Sequence, residues 1–214
     1  MNKLKTATFL LSAALFSCTR MQNQNQAPKP QIDSKFLISC DGIGEVKITD
    51  SYVDLEKKFG AQAISEHENT QVGKFTTLWE NDPKQINIFW KEKKAPFKTI
   101  KYMEAVAPFS SYMTLDSIQN GMTIRDLVKK NGGMPVSFRN VLASSQPGVI
   151  VSFNRGDISK SAPCIGGTLE ITQQKNVYLT EQNDFRRKEV IESSDRMLER
   201  IKVGLSSIRV NGKQ

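Results

Sequence analysis

Few residues in this chain carry side chains suited to catalysis or metal binding. The one histidine, His67, stands in Glu66-His67-Glu68-Asn69. As a general base it would need a nucleophile in reach and a third group to orient it, and nothing in the spacing around it points to one. It reads as a surface histidine in a polar segment. Gly42-Ile43-Gly44 has neither the third glycine nor the Lys-Ser/Thr pair of a phosphate-cradling loop. Asp41, Asp50, Asp54, Asp116, Asp126 and Asp157 are scattered, without the closely spaced oxygen ligands of a calcium loop. Cys40, Cys164 and His67 do not show zinc spacing. No catalytic residue, metal or cofactor is therefore expected. The densest basic group is Lys91, Lys93, Lys94, Lys98 and Lys101, interleaved with Trp90 and Phe97. Such a group can attract phosphates, lipid headgroups or an acidic protein, or can simply be a solvated strand edge that discourages aggregation. With Trp79 upstream, the candidate partner surface is Trp79, Trp90, Lys91, Lys93 and Lys94.

These residues belong to a chain of 214, with 30 Lys plus Arg against 22 Asp plus Glu, a formal charge of +8 and 38% hydrophobic residues. That is enough apolar material for a folded core and excludes a wholly disordered chain. Lys3 and Lys5 precede an apolar run, Thr6–Phe16, that is short of the roughly 20 residues of a transmembrane helix. Leu15-Phe16-Ser17-Cys18 follows, and it resembles the lipobox of bacterial lipoproteins. The resemblance implies removal of residues 1–17 as a signal peptide, diacylglycerol on the Cys18 sulfur and acylation of the new amino terminus. The alternative is an ordinary secretory signal with a chance cysteine. Several acyl chains anchor a protein without a spanning helix, at about 0.8 kcal/mol per buried methylene. Residues 18–35 are polar, with Pro28 and Pro30, and are expected to form a flexible tether spanning roughly 20–25 Å. Thr19 is not the aspartate that retains some lipoproteins at the inner membrane, so the resemblance implies the periplasmic face of the outer membrane. An exported lipoprotein rarely meets nucleic acid, which removes that reading of the lysines. Once Cys18 is acylated, Cys40 and Cys164 remain as an even pair in an oxidising compartment. They are either bridged or two separate buried cysteines.

An internal repeat organises the body. Asp54-Leu-Glu-Lys-Lys-Phe-Gly60 and Asp126-Leu-Val-Lys-Lys-Asn-Gly132 agree at five of seven positions. Ser51 and Thr123 stand where a hydroxyl can cap a helix, and Gly60 and Gly132 where a left-handed residue can end one. Tyr52, Leu55 and Phe59 form one apolar stripe; Ile124, Leu127 and Val128 form the other. Strands are expected at 75–80, 85–91, 97–107, 134–142, 148–154, 167–173 and 205–210, with a short helix at 195–201 capped by Ser194 and a solvated loop at Arg186-Arg187-Lys188. The predicted fold class is α+β: two tandem repeats, 36–109 and 110–214, each a short helix packed on an antiparallel meander. This pattern, Thr/Ser-x-x-Asp-Leu-x-x-x-x-Gly followed by strands, resembles the BamE-like outer-membrane lipoproteins and the tandem-repeat β-lactamase inhibitor protein over residues 40–180. Gly121-Met122-Thr123-Ile124 also resembles a family of uncharacterised bacterial lipoproteins; the first half has Thr49 where the second has Gly121. The resemblance implies a non-catalytic, membrane-anchored module that binds an envelope protein or assists envelope assembly. Two rival readings are an inhibitor of a periplasmic hydrolase and a hydrolase acting on cell wall or glycan.

Overall fold

The computed structural model describes residues 32–212 apart from Gln71 and Val177. Residues 1–31, which include the expected signal peptide, Cys18 and most of the expected tether, lie outside the described residues. The two expected repeat helices form where capping chemistry favours them. Helix α1, Tyr52–Phe59, starts on a reciprocal capping box: the Asp54 amide donates to Ser51 Oγ (3.2 Å), and the Ser51 amide to Asp54 Oδ2 (3.0 Å). Helix α2, Ile124–Lys130, starts on Thr123, whose Oγ1 accepts from the Asp126 amide at 3.2 Å. Gly60 and Gly132 follow them with φ of 81° and 69°, the left-handed region that a β-carbon disfavours. Two further helices, α3 at Asp157–Ser161 and α4 at Leu179–Arg186, have no counterpart in the sequence reading.

The first strands are β1 Leu37–Ser39, β2 Gly42–Ile43, β3 Val46–Lys47, β4 Ile64–Asn69, β5 Gly73–Leu78, β6 Ile86–Trp90 and β7 Ile100–Ala105. The remainder are β8 Met113–Thr114, β9 Ser137–Arg139, β10 Ile150–Ser152, β11 Ile165–Gln174, β12 Val190–Glu192 and β13 Ile201–Asn211. They make a six-stranded antiparallel sheet in the order β11-β13-β7-β6-β5-β4, a four-stranded sheet β3-β2-β1-β8 and a three-stranded sheet β10-β9-β12. In the four-stranded sheet β1 runs parallel to β8, with Leu37 opposite Met113.

The fold is thus mixed α+β. After α1 the chain runs β4-β5-β6-β7 as neighbours, while the strands after α2 are shared between two sheets. β9, β10 and β12 pair among themselves, and β11 and β13 extend the sheet of the first half, with Ile208 opposite Ala105. β13 is buried at Val203, Leu205, Ile208 and Val210, and its backbone is hydrogen-bonded along both edges, to β7 on one side and β11 on the other. Period-two alternation turns Ile86, Ile88 and Trp90 of β6 and Met103 and Ala105 of β7 into a continuous core shared with Leu55 and Leu127 of the two helices. The expected helix at 195–201 is a 3-10 turn, Arg196–Glu199, capped by Asp195 rather than Ser194, with Asp195 Oδ1 accepting from the Met197 amide at 2.9 Å. Arg186 closes α4, so the expected basic loop begins only at Arg187.

Candidate binding surface

The lysine-rich stretch is a hairpin connection between β6 and β7, and four hydrogen bonds fix its shape. The Glu92 carboxylate accepts from the Lys98 and Thr99 amides at 3.2 and 3.1 Å. The Lys91 amide donates to the Thr99 carbonyl at 2.9 Å, and the Tyr52 amide at the start of α1 donates to the Phe97 carbonyl at 3.0 Å. Desolvation pushes the Glu92 carboxyl upward, but the hydrogen bonds from Thr99 and Lys98 outweigh it and hold the group below the usual carboxylate range. Phe97 turns inward and stacks on Trp90 at 5.6 Å between ring centroids. The expected strand at 97–107 is accordingly shorter, beginning at Ile100. Lys93, Lys94 and Lys98 are left exposed on a loop whose backbone is tied down.

Of the predicted partner-surface residues, Lys91, Lys93 and Lys94 are exposed. Trp90 is not available, which corrects the sequence reading: it is 6% exposed because β6 alternation places it on the core face with Ile86 and Ile88. Its indole N–H donates to Thr76 Oγ1 at 2.8 Å. Trp79 is half-buried, edge-on to Phe59 of α1 at 4.9 Å. The cation over its ring is Lys84, at 5.9 Å, rather than the lysines of the loop.

Beside the loop opens a cleft of about 570 Å³. Its walls are Lys47-Ile48-Thr49 on the way from β3 to α1, Lys98-Thr99-Ile100 leading into β7, Cys40 and Asp41 after β1, and Gly212. The structure joins Cys40 to Cys164 in a disulfide, with the Cα atoms 5.5 Å apart, so one wall is covalently tied to the residue before β11. Lys47, Thr49, Lys98 and Thr99 line the cleft together with one acidic residue, Asp41, and the Thr99 side chain is hydrogen-bonded to the Glu92 carboxylate. The nearby Asp50 carboxylate is already engaged, accepting from Lys58 Nζ at 2.7 Å and from the Lys47 amide at 2.9 Å. With two lysines against one aspartate the lining can attract an anionic group by charge, a surface that sequence spacing alone could not assemble from residues 47–49 and 98–100.

A second cleft, of about 310 Å³, is lined by Glu181, Asp184, Asp195 and Glu199 among other residues. Three of these carboxylates are in ion pairs: Glu181 with Arg200 at 3.1 Å, Asp184 with Arg187 at 3.5 Å and Asp195 with Lys188 at 2.6 Å.

His67 lies on β4 at the head of a ladder of rings on the face of the large sheet away from Ile86 and Ile88. It stacks on Phe75 (5.1 Å), Phe75 on Phe89 (5.1 Å) and Phe89 on Tyr102 (4.4 Å). The Arg209 guanidinium closes the row 4.2 Å from the Tyr102 ring and pairs with Glu104 at 2.7 Å. At the other end of the ladder His67 Nε2 lies 3.4 Å from a Glu80 carboxylate oxygen. The ladder follows from cross-strand register, since His67, Phe75, Phe89 and Tyr102 are successive partners across four strands. Among the described residues no group of three or more His, Cys, Asp or Glu side chains is placed to hold a metal ion. No helix among them is long and apolar enough to cross a membrane. Compared with models of protein families, with curated proteins and with solved structures, the chain matches none of them.

Proposed function

We propose that this protein is a lipid-anchored envelope lipoprotein whose body acts by binding and not by catalysis, and that its partner presents an acidic segment to the cleft between Lys47 and Lys98. The observation that carries this reading is the convergence of two separate lysine-threonine pairs, 47–49 and 98–99, on one cleft beside an anchored, lysine-rich loop. The Ser17-Cys18 lipobox supports the anchor and the periplasmic face of the outer membrane. Resemblance to envelope-assembly lipoproteins supports an envelope protein as the partner. The two capped helices, with their matching Asp-Leu-x-Lys-Lys cores, further support descent of the two halves from one duplicated unit.

The test is crosslinking in intact cells from a photoreactive residue at position 94, with a second probe at exposed Val151 of β10 as control. The reading expects one specific protein adduct from position 94, absent from position 151 and lost when Lys47 and Lys98 are both replaced by glutamate. The same adducts from both positions, or an adduct indifferent to the charge reversal, would count against it.

A further inference from the structure

Phe109 is the most exposed large hydrophobic residue among those described, at 90%. It sits in Pro108-Phe109-Ser110-Ser111, and the loop around it is held in place. The Ser110 amide donates to the Ala107 carbonyl at 3.0 Å, and the Ser111 amide to the Pro83 carbonyl at 3.4 Å. Tyr112 Oη then reaches the Lys84 carbonyl at 3.3 Å. One exposed ring is ordinary on a protein surface; what sets Phe109 apart is its fixed loop and its place in the fold.

Sheet topology says what is nearby. β1 and β8 are parallel, with Leu37 opposite Met113 and Ile38 opposite Thr114. Residues that precede Leu37 therefore lie at the same end as residues that precede Met113, and Phe36 packs against Tyr112 with ring centroids 6.2 Å apart. The chain arriving from Cys18 joins the body at Ile32–Phe36, beside the loop that carries Phe109. Thirteen residues lie between Cys18 and Ile32, so even fully extended the fourteen steps reach only about 50 Å. β1 then runs away from this end and delivers Cys40 and Asp41 to the lysine cleft.

We infer that the Phe109 loop is a lipid-contacting foot: its ring rests in the headgroup boundary of the bilayer that holds the Cys18 acyl chains, and the cleft opens at the opposite end of β1. This rests on the anchored reading above. Aromatic rings favour that boundary. Both signs of charge occur around Tyr112, which follows the foot: Glu45 and Asp82 act on its hydroxyl, Lys84 lies at its Oη and Lys35 precedes Phe36, which packs on its ring, so the contact is apolar and does not require anionic lipid.

The test uses full-length acylated protein reconstituted in phosphatidylcholine vesicles, with an environment-sensitive fluorophore on Phe109→Cys. With Cys18 acylated and Cys40 bridged to Cys164, the introduced thiol is the one that labels. Val53→Cys, on α1 and 66% exposed, is the control. We expect bromine on the acyl chains to quench the label at 109 severalfold more than the label at 53. Protein that floats with the vesicles while both labels stay unquenched, or are quenched equally, overturns the foot and leaves the anchor standing. Protein that fails to float overturns the anchor, and the foot with it.

Discussion

Reduction of the Cys40–Cys164 bridge is the perturbation whose magnitude the structure sets most directly. The cysteines are 124 residues apart in sequence, so the bridge restricts most of the unfolded body. Chain entropy for a loop of that length gives about 5 kcal/mol at 25 °C. The folded side changes little on reduction, because the Asn211 amide and Nδ2 both donate to the Cys164 carbonyl, at 2.9 and 3.0 Å, and keep that backbone in place. Against a total of about 5–15 kcal/mol for a domain, the loss is large. With a urea slope near 2–3 kcal/mol/M, the unfolding midpoint should fall by about 2 M, and the slope should rise as the unlinked chain expands. The assay is urea unfolding followed by tryptophan fluorescence, with and without reductant, alongside a Cys40→Ser/Cys164→Ser variant. Coincident curves for oxidised and reduced protein would refute the reasoning.

Other outcomes follow from single contacts. Thr76→Val leaves the buried Trp90 indole N–H without its acceptor and should cost about 1–3 kcal/mol in the same urea assay. Gly148 has φ +75°, and a β-carbon there would lie 1.7 Å from the Leu169 carbonyl oxygen; Gly148→Ala should destabilise by about 2 kcal/mol or more and raise amide exchange where β10 meets β11. Hydrogen bonds from the Ser51 and Thr123 hydroxyls hold the Asp54 and Asp126 carboxyls below their ordinary value in the folded state. The unfolded chain therefore binds these protons first as pH falls, so the stabilisation is present above the ordinary aspartate range and lost as pH drops through the folded values. Ser51→Ala should lower stability at neutral pH by about 1 kcal/mol and flatten the acid limb of a stability-pH curve.

How much of this was legible follows from the range of the forces involved. α1 and α2 were readable because caps, an apolar stripe and a stop glycine act within ten residues of sequence. The β5–β6 hairpin was readable for the same reason: alternation in Gln85–Lys91 and a turn at Asn81-Asp82-Pro83-Lys84 are local signals. α4 was not, since the one residue it buries is Phe185 and a single position makes no period. The partnership of β13 with β7 joins residues about a hundred apart, and no local pattern names a strand's far neighbour. The same limit hid the site. Sequence spacing grouped Trp90 with Lys91, Lys93 and Lys94, whereas the pleat sends the indole inward and the lysines outward. The cleft could not be read at all, because Lys47 and Lys98 meet only after the small sheet is laid beside the large one. Within the candidate surface the three lysines are exposed, whereas Trp90 is buried and Trp79 half-buried.

The central claim is that the Lys47–Lys98 cleft receives an acidic segment, and a nuclear magnetic resonance titration of the ¹⁵N-labelled body with a short polyglutamate peptide tests it most directly. The account predicts saturable shifts in the amide signals of residues 47–49 and 98–100, weakening as salt screens the charges and abolished by Lys47→Glu/Lys98→Glu. Shifts spread evenly over other exposed lysines such as Lys74, Lys129 and Lys130, or none at all at the cleft, would contradict it.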